Sequence, residues 1–466
     1  MIRLQNDIRR SMKAALCAAL MLSGILSGCA QKQAVEITED GLRSSTQAIA
    51  SALSQGDWKT ARSYFNHDLK QSLTEKLLQE GYESATSGLS FEALGDVTAV
   101  MNDEMNAGWA VLDFQDAQRK VFVQYDQAMQ AERIIINEVH ALPALASTDA
   151  YTEQAVAIGP LPQVQGILTL PNGVSNPPAV VMAAGSGVSD CNEEIQGSKP
   201  FEDIAHGLAE LGVASIRFDK RYYDYPELIK DNSEATVDQE YMEDIAYALH
   251  LLDSEPVDPS RIYYLGHSEG AMIAHAVADM HYEAAGIILL AGTARSLPEL
   301  LYDQTEAALK QQGADQKTID AQLKTIQDAE TQIDALQEDS EKTTILGIGS
   351  TYWYQLKQYG AKNHIDKVKV PTLILQGQDD AQVYYDKDYA LWKELLGDKD
   401  NVSMKSYPGL NHLFIDSSLQ PGTDYSQPGH VSSEVIQDIA DWISGKSVSD
   451  DAEADKTAAS KDKASQ

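Results

Sequence analysis

The segment Gly266-His267-Ser268-Glu269-Gly270 is where residue types and spacing in this chain point most directly to chemistry. It follows the apolar run Arg261–Leu265 and precedes the helical run Ala271–Asp279, so Ser268 stands where a strand turns sharply into a helix. Only glycine on both flanks lets so tight a turn pass the neighbouring backbone, and the turn leaves the serine hydroxyl exposed above a sheet with helical N–H groups behind it. That setting suits a nucleophile for acyl transfer.

A serine hydroxyl attacks slowly unless a base takes its proton, and the base needs a carboxylate to orient it. For a nucleophile on this kind of turn the partners follow in the order Ser, Asp or Glu, His. Asp379 and Asp380 come after the run Pro371–Gln376, and His412 comes after the run Val402–Tyr407. Loops at the carboxyl ends of parallel strands open into one crevice, which brings these groups within reach of Ser268. His364 falls at the end of a helical insertion and His430 reads as a helix-entry residue, so His412 is the expected base. The spacing alone leaves Asp379 and Asp380 both open as the acid.

A developing oxyanion needs backbone donors. The expected ones are the N–H of Glu269 and an N–H from the loop Ala183–Val188, either Ser186 or, alternatively, Gly187. That loop lacks the third glycine and the lysine of a phosphate cradle. Arg217, Lys220 and Arg221 end another strand near the same crevice, where they could hold an anionic substrate group or pair with Asp219 and Asp224. Glu269 reads as a salt-bridge partner.

The elements that must carry these residues form an alternating pattern. Eight short apolar runs (Gln154–Ile158, Gly166–Leu170, Ala179–Ala184, Val213–Phe218, Arg261–Leu265, Gly286–Leu290, Thr372–Gln376, Val402–Tyr407) are interleaved with helical periodicity. Continuous Val/Ile/Leu runs are the mark of strands covered on both faces, hence of a mostly parallel sheet. Residues 293–366 carry helical repeats such as Ile319, Leu323 and Ile326, and predict a helical lid rather than a bare loop. Upstream, residues 41–140 predict a separate small α+β unit. Three short helices end near Glu80, and four alternating strands (Val97–Met101, Trp109–Phe114, Val121–Tyr125, Ile134–Val139) follow, with Trp58 and Trp109 in its core.

The chain has 466 residues, 36 Lys and Arg against 70 Asp and Glu, and a formal charge of −34. Such an excess of carboxylates repels phosphates, so nucleic acid is excluded as a partner. Residues 1–28 combine a basic start (Arg3, Arg9, Arg10, Lys13), an apolar run from Ala14 to Ile25 and small residues before a cysteine, the layout of a cleaved leader. Residues 29–40 predict a polar tether, and residues 446–466, rich in Ala, Ser, Asp and Lys, a disordered tail. Of the three cysteines, Cys17 leaves with the leader and Cys191 has no partner for an intrachain disulfide.

Taken together, Gly185-Ser186-Gly187, Phe218-Asp219-Lys220-Arg221, Gly266-His267-Ser268-Glu269-Gly270, Leu373-Ile374-Leu375-Gln376-Gly377 with Asp380, and Gly409-Leu410-Asn411-His412 resemble the α/β-hydrolase superfamily, in particular bacterial esterases and serine-aminopeptidase-like hydrolases. The resemblance covers residues 152–445. It implies an α/β-hydrolase fold, a Ser268-His412-Asp380 triad (the acid standing three residues after the glycine of Leu-Gln-Gly), no metal or organic cofactor, and a small-molecule carboxylic ester of short to medium acyl length as substrate. The alternatives are a serine peptidase of the same fold and an inert surface-binding lipoprotein. One departure is Ala184, where the family commonly has His. Residues 41–139 are similar to the cystatin-like or nuclear-transport-factor-like domain that precedes some bacterial esterases. Leu26-Ser27-Gly28-Cys29 resembles the bacterial lipobox, which implies acylation of Cys29 and an anchor on the extracytoplasmic face of the cell membrane.

Overall fold

The computed structural model describes residues 37–102, 105–280 and 284–450. The leader, Cys29 and most of the tether lie outside the described residues. The tether ends earlier than its composition suggests, because Thr38 caps a helix that starts at Glu39 by accepting from the N–H of Gly41 at 3.1 Å.

Four helices open the first unit: α1 (Glu39–Ser54), α2 (Trp58–Ser63), α3 (His67–Ser72) and α4 (Glu75–Ala85). The spacing predicted three. The extra break falls at Phe65-Asn66, where Phe65 bridges to Ala131 and the Asn66 side chain caps the next helix through the N–H of Leu69 at 2.9 Å. Asn competes for backbone donors in this way and is favoured at a helix start. The strands β1 (Phe91–Met101), β2 (Asn106–Phe114), β3 (Ala117–Tyr125) and β4 (Ala131–Glu138) form an antiparallel meander in that order. One face carries Ala110, Leu112, Val121 and Val123 onto Leu42, Ile49 and Leu53 of α1. The other face bears Trp109, Phe122 and Lys120, and Trp109 therefore packs outside the core assigned to it from sequence.

The second unit is built on eight strands: β5 (Tyr151–Ile158), β6 (Val164–Pro171), β7 (Ala179–Ala183), β8 (Ala214–Phe218), β9 (Ile262–His267), β10 (Gly286–Leu290) and, after a hairpin of β11 (Thr344–Ile345) and β12 (Ile348–Gly349), β13 (Thr372–Gly377) and β14 (Val402–Tyr407). The large sheet has the order β14-β13-β10-β9-β7-β8-β6-β5, antiparallel at β5-β6 and β6-β8 and parallel elsewhere. This is the mostly parallel eight-stranded sheet that the apolar runs predict.

The helices of this unit are α5 (Pro200–Glu210), α6 (Arg221–Asp224), α7 (Glu243–Leu251), α8 (Glu269–Met272), α9 (Ala274–Asp279), α10 (Leu297–Gln311), α11 (Gln316–Asp334), α12 (Ser350–Tyr359), α13 (Ala390–Leu396) and α14 (Ser433–Ile443). They cover both faces of the sheet. Ile288, Leu290, Leu373 and Leu375 pack with Phe201 and Leu208 of α5 and Val435 and Ile439 of α14, whereas Ile287, Leu289 and Ile374 pack with Ile245 of α7 and Trp392 of α13. Successive strand residues point to opposite layers. Truncating one such buried leucine to alanine costs about 2–5 kcal/mol. α10, α11, the β11-β12 hairpin and α12 form the lid over the carboxyl ends of the strands.

The tail does not begin at Lys446. Val448 is buried in the sheet-face core, and Asp450 accepts from Ser406 N (2.7 Å), Tyr389 Oη (3.0 Å) and Lys393 Nζ (2.9 Å). The burial of Val448 and the hydrogen bonds of Asp450 outweigh the polar composition of this stretch, and residues 451–466 lie outside the described residues.

Candidate active site

Ser268 follows the last residue of β9 and precedes α8, with φ 53° and ψ −113°. A non-glycine residue in this region is strained and is held there by its surroundings. The Ser268 N–H donates to the carbonyl of Leu290 at 2.9 Å, and the Tyr264 hydroxyl donates to that of Gly270 at 2.7 Å. Both motif glycines are required by space. A Cβ on Gly266 would lie 2.2 Å from the oxygen of Gly270, and one on Gly270 would lie 2.4 Å from the oxygen of Ala183.

His412 sits on the loop after β14. Asn411 shapes that loop by accepting from the N–H groups of Leu413 (2.9 Å) and Ile415 (3.0 Å), and Gly377 makes room for it, since a Cβ there would meet the carbonyl of Leu410 at 2.4 Å. Asp380 Oδ2 lies 2.8 Å from His412 Nδ1 and also accepts from Gln376 Nε2 at 2.9 Å. Its Oδ1 accepts from the N–H groups of Gln382 (2.8 Å) and Val383 (2.9 Å). Asp379 is exposed and accepts from Ser417 Oγ instead. Of the two carboxylates left open by spacing, Asp380 is the one that contacts His412. The other two candidate bases face elsewhere: His364 contacts Asp279 at 2.7 Å, and His430, 89% exposed, contacts Asp203 at 2.9 Å.

Ser268, Glu269, His412, Ser186 and Gly187 line one cavity of about 500 Å³, walled further out by Leu297, Leu300, Leu301 and Gln304 of the lid and by Ile229, Ile348 and Tyr352. The N–H of Glu269 opens α8, so it has no acceptor within the helix. A Cβ on Gly185 would lie 3.0 Å from the Cβ of Ser268, which puts the glycine loop against the nucleophile.

Three residues that the sequence reading passed over hold that loop. Glu193 Oε1 accepts from Gly185 N at 2.7 Å and sits 2.8 Å from His267 Nδ1. His267 Nε2 in turn is 3.0 Å from the carbonyl oxygen of His412, so one buried carboxyl links the glycine loop to the His412 loop. Tyr241 donates its hydroxyl to the carbonyl of Gly185 at 2.7 Å. Glu193 had no motif to reveal it, but its neighbour in space, His267, is the second residue of the nucleophile motif. Burial opposes the Glu193 carboxylate, yet the adjacent His267 outweighs it and holds the carboxyl below its ordinary range. Burial likewise disfavours the His267 imidazolium, and Glu193 more than compensates, raising it.

The cationic cluster is taken up by internal partners. Lys220 donates to the carbonyls of Gly185 (3.0 Å) and Gly187 (2.7 Å) and pairs with Glu240 at 3.1 Å. Arg217 pairs with Glu153 at 2.9 Å, and Arg221 pairs with Asp244. None takes the partners foreseen for it. Asp219 instead accepts from Cys191 N at 2.6 Å, and burial followed by the charge of Asp224 pushes its carboxyl up to about 8. Glu269 is no salt-bridge partner either: its carboxylate accepts from the hydroxyl of Tyr352. Among the described residues, no group of three or more His, Cys, Asp or Glu side chains is placed to hold a metal ion.

Residues 195–417 match the family described as serine aminopeptidase, S33. The esterase EstD of Thermotoga maritima is 29% identical over 375 residues, spanning 79% of this chain and 81% of the relative. Among solved structures, Est1E from Butyrivibrio proteoclasticus shares 16% identity over 63% of this chain and 99% of its own, with a TM-score of 0.41. A hyperthermophilic esterase from Pyrobaculum calidifontis shares 16% over 62% and 84%, with a TM-score of 0.38. The ordered motifs, the mostly parallel sheet with its strand-turn-helix serine, and these sequence matches support an α/β-hydrolase fold and a hydrolase similar to esterases and serine aminopeptidases.

Proposed function

We propose that the protein cleaves carboxylic esters of short to medium acyl length through an acyl-enzyme on Ser268. The observation that carries this reading is the 2.8 Å contact of Asp380 with His412 Nδ1, on a loop that shares a cavity with the strained Ser268. In this account His412 takes the proton of the Ser268 hydroxyl as the oxygen attacks the ester carbonyl, while Asp380 keeps Nδ1 protonated and Nε2 free to accept. The oxyanion accepts from the N–H of Glu269 and that of Ser186, with Gly187 as the alternative donor. Collapse expels the alcohol with the proton from His412, and water repeats the sequence to release the acid. The apolar lid residues Leu297, Leu300 and Leu301 suit an acyl chain, and the name of the Thermotoga relative favours an ester.

A second reading, a serine peptidase, draws on the match to the serine aminopeptidase family and on the Glu269 carboxylate beside the nucleophile, which could hold a substrate ammonium group. Parallel assays with nitrophenyl acetate to decanoate and with aminoacyl amides separate the two. Turnover of the esters at least a hundredfold faster supports the ester reading; preference for the amides overturns it. Anchoring through acyl chains on Cys29 at the extracytoplasmic face belongs to the same proposal and rests on the Leu26-Ser27-Gly28-Cys29 box. Metabolic labelling with an alkyne fatty acid tests it: incorporation that Cys29→Ser abolishes supports the anchor, and equal labelling of the variant refutes it.

A further inference from the structure

The second face of the first sheet is met by the segment Asp224–Ile229 of the second unit. Glu227 is its fixed point, with a side chain wholly removed from solvent. Its Oε1 accepts from Trp109 Nε1 at 2.8 Å and lies 3.1 Å from Lys120 Nζ, and its Oε2 accepts from Asn137 Nδ2 at 2.7 Å. Arg133 donates to the backbone carbonyls of Glu227 and Ile229, both at 3.0 Å. Lys120 also sits over the ring of Tyr225, 4.0 Å from its centroid. A buried carboxylate leans on such donors, because removing one leaves a desolvated charge behind.

The gripped segment runs directly into the cavity wall. Ile229, Asn232 and Ala235 line the cavity that holds Ser268. Asn232 then donates from Nδ2 to the carbonyl of Gly347 at 2.9 Å, and its own carbonyl packs so closely on Gly349 that a Cβ there would approach within 2.5 Å. Gly347, Ile348 and Gly349, at the tip of the lid hairpin, are themselves cavity wall.

We propose that the N-terminal domain is a specificity element of the hydrolase: by gripping Glu227 and its flanking carbonyls it fixes the Ile229–Ala235 wall and, through Asn232, the lid hairpin, and so sets which esters the cavity admits. The proposal rests on the reading of the Ser268 cavity as the ester site. Its residues, Trp109, Lys120, Arg133 and Asn137, lie far along the chain from the chemistry and act by positioning.

The test compares full-length wild type, Trp109→Phe and Arg133→Ala across nitrophenyl esters from acetate to decanoate, with the rate of fluorophosphonate labelling and the melting temperature measured alongside. Trp109→Phe deletes one donor to Glu227 and keeps an aromatic ring; Arg133 is only partly buried, and its truncation removes its hydrogen bonds to two carbonyls and its contact over the Phe122 ring. The expected result is a KM for octanoate and decanoate changed fivefold or more in at least one variant, with kcat for acetate and the labelling rate within twofold of wild type. A folded variant pair whose chain-length profile overlays that of wild type overturns the proposal, and so does a uniform loss of kcat on every ester. Absence of labelling and ester turnover in wild type would instead strike the underlying ester reading, which keeps the two failures distinct.

Discussion

Asp380 and His412 meet at 2.8 Å through Oδ2 and Nδ1, although they stand 32 residues apart with α13 and β14 between them. Two backbone N–H groups hold the other oxygen of Asp380, so the carboxylate is fixed on both sides before it touches the imidazole. Removing its charge leaves the geometry but permits the wrong tautomer of His412. On the proposed Ser268-His412-Asp380 triad, Asp380→Asn is therefore expected to lower kcat by about 10⁴-fold. Asp379→Asn, altering an exposed carboxylate bonded to Ser417, is expected to stay within about twofold of wild type, the usual consequence of a surface change. Steady-state kinetics on one nitrophenyl ester decides it, and the reverse ranking would exchange the roles of the two residues.

The Glu193–His267 pair ties the glycine loop to the loop of the base, and its loss should reach both activity and stability. Glu193→Gln is expected to lower kcat by about 10- to 100-fold, somewhat less than outright deletion of an oxyanion donor. The pH dependence follows from the two shifts. His267, raised in the fold, stabilises at pH below its ordinary value of 6.5, and that contribution is lost as pH rises through its folded value. Glu193, lowered in the fold, stabilises above its ordinary value of 4.5, and that contribution is lost as pH falls through its folded value. The variant should therefore lose most melting temperature, relative to wild type, between pH 4.5 and 6.5. A deficit that does not change from pH 5 to 9 contradicts this account.

Much of the candidate site was legible because the acyl transfer proposed for it constrains the backbone as well as the side chains. The strand before Gly266, the helix after it and the late strand before His412 all carry periodic signals that survive in one dimension. What stayed hidden depends on contacts between distant segments. Glu193 has no spacing rule, Lys220 reads as an anion binder or a partner of Asp219 and Asp224 with nothing local to announce the carbonyls of Gly185 and Gly187 around it, and Trp109 alternates as a core residue does on either face of a sheet. The second face of the small domain, with Lys120, Arg133 and Asn137, reads as solvated in sequence, since nothing local announces that Glu227 will be buried against it.

Asp219 offers a test of electrostatics away from the chemistry. Its carboxyl is raised to about 8 by burial and by Asp224, so the folded state binds a proton that the unfolded chain releases near 3.8. Stability contributed by this group thus declines as pH rises from about 4 to 8. Asp219→Asn keeps an oxygen for the N–H of Cys191 and removes the titration. The variant is expected to melt higher than wild type at pH 9, with a smaller difference at pH 5; an equal or inverted difference rejects the shift.

The covalent step itself is the centre of the account. Incubation of the wild-type protein with a fluorophosphonate, followed by peptide mass spectrometry, should yield one phosphonylated residue, Ser268, with full loss of ester turnover. Ser268→Ala should neither label nor hydrolyse while melting as a folded protein. A wild-type protein that turns over esters but carries the adduct on another residue, or a Ser268→Ala variant that retains more than about 1% of wild-type turnover, would contradict it, since removing a triad member costs 10³-fold or more.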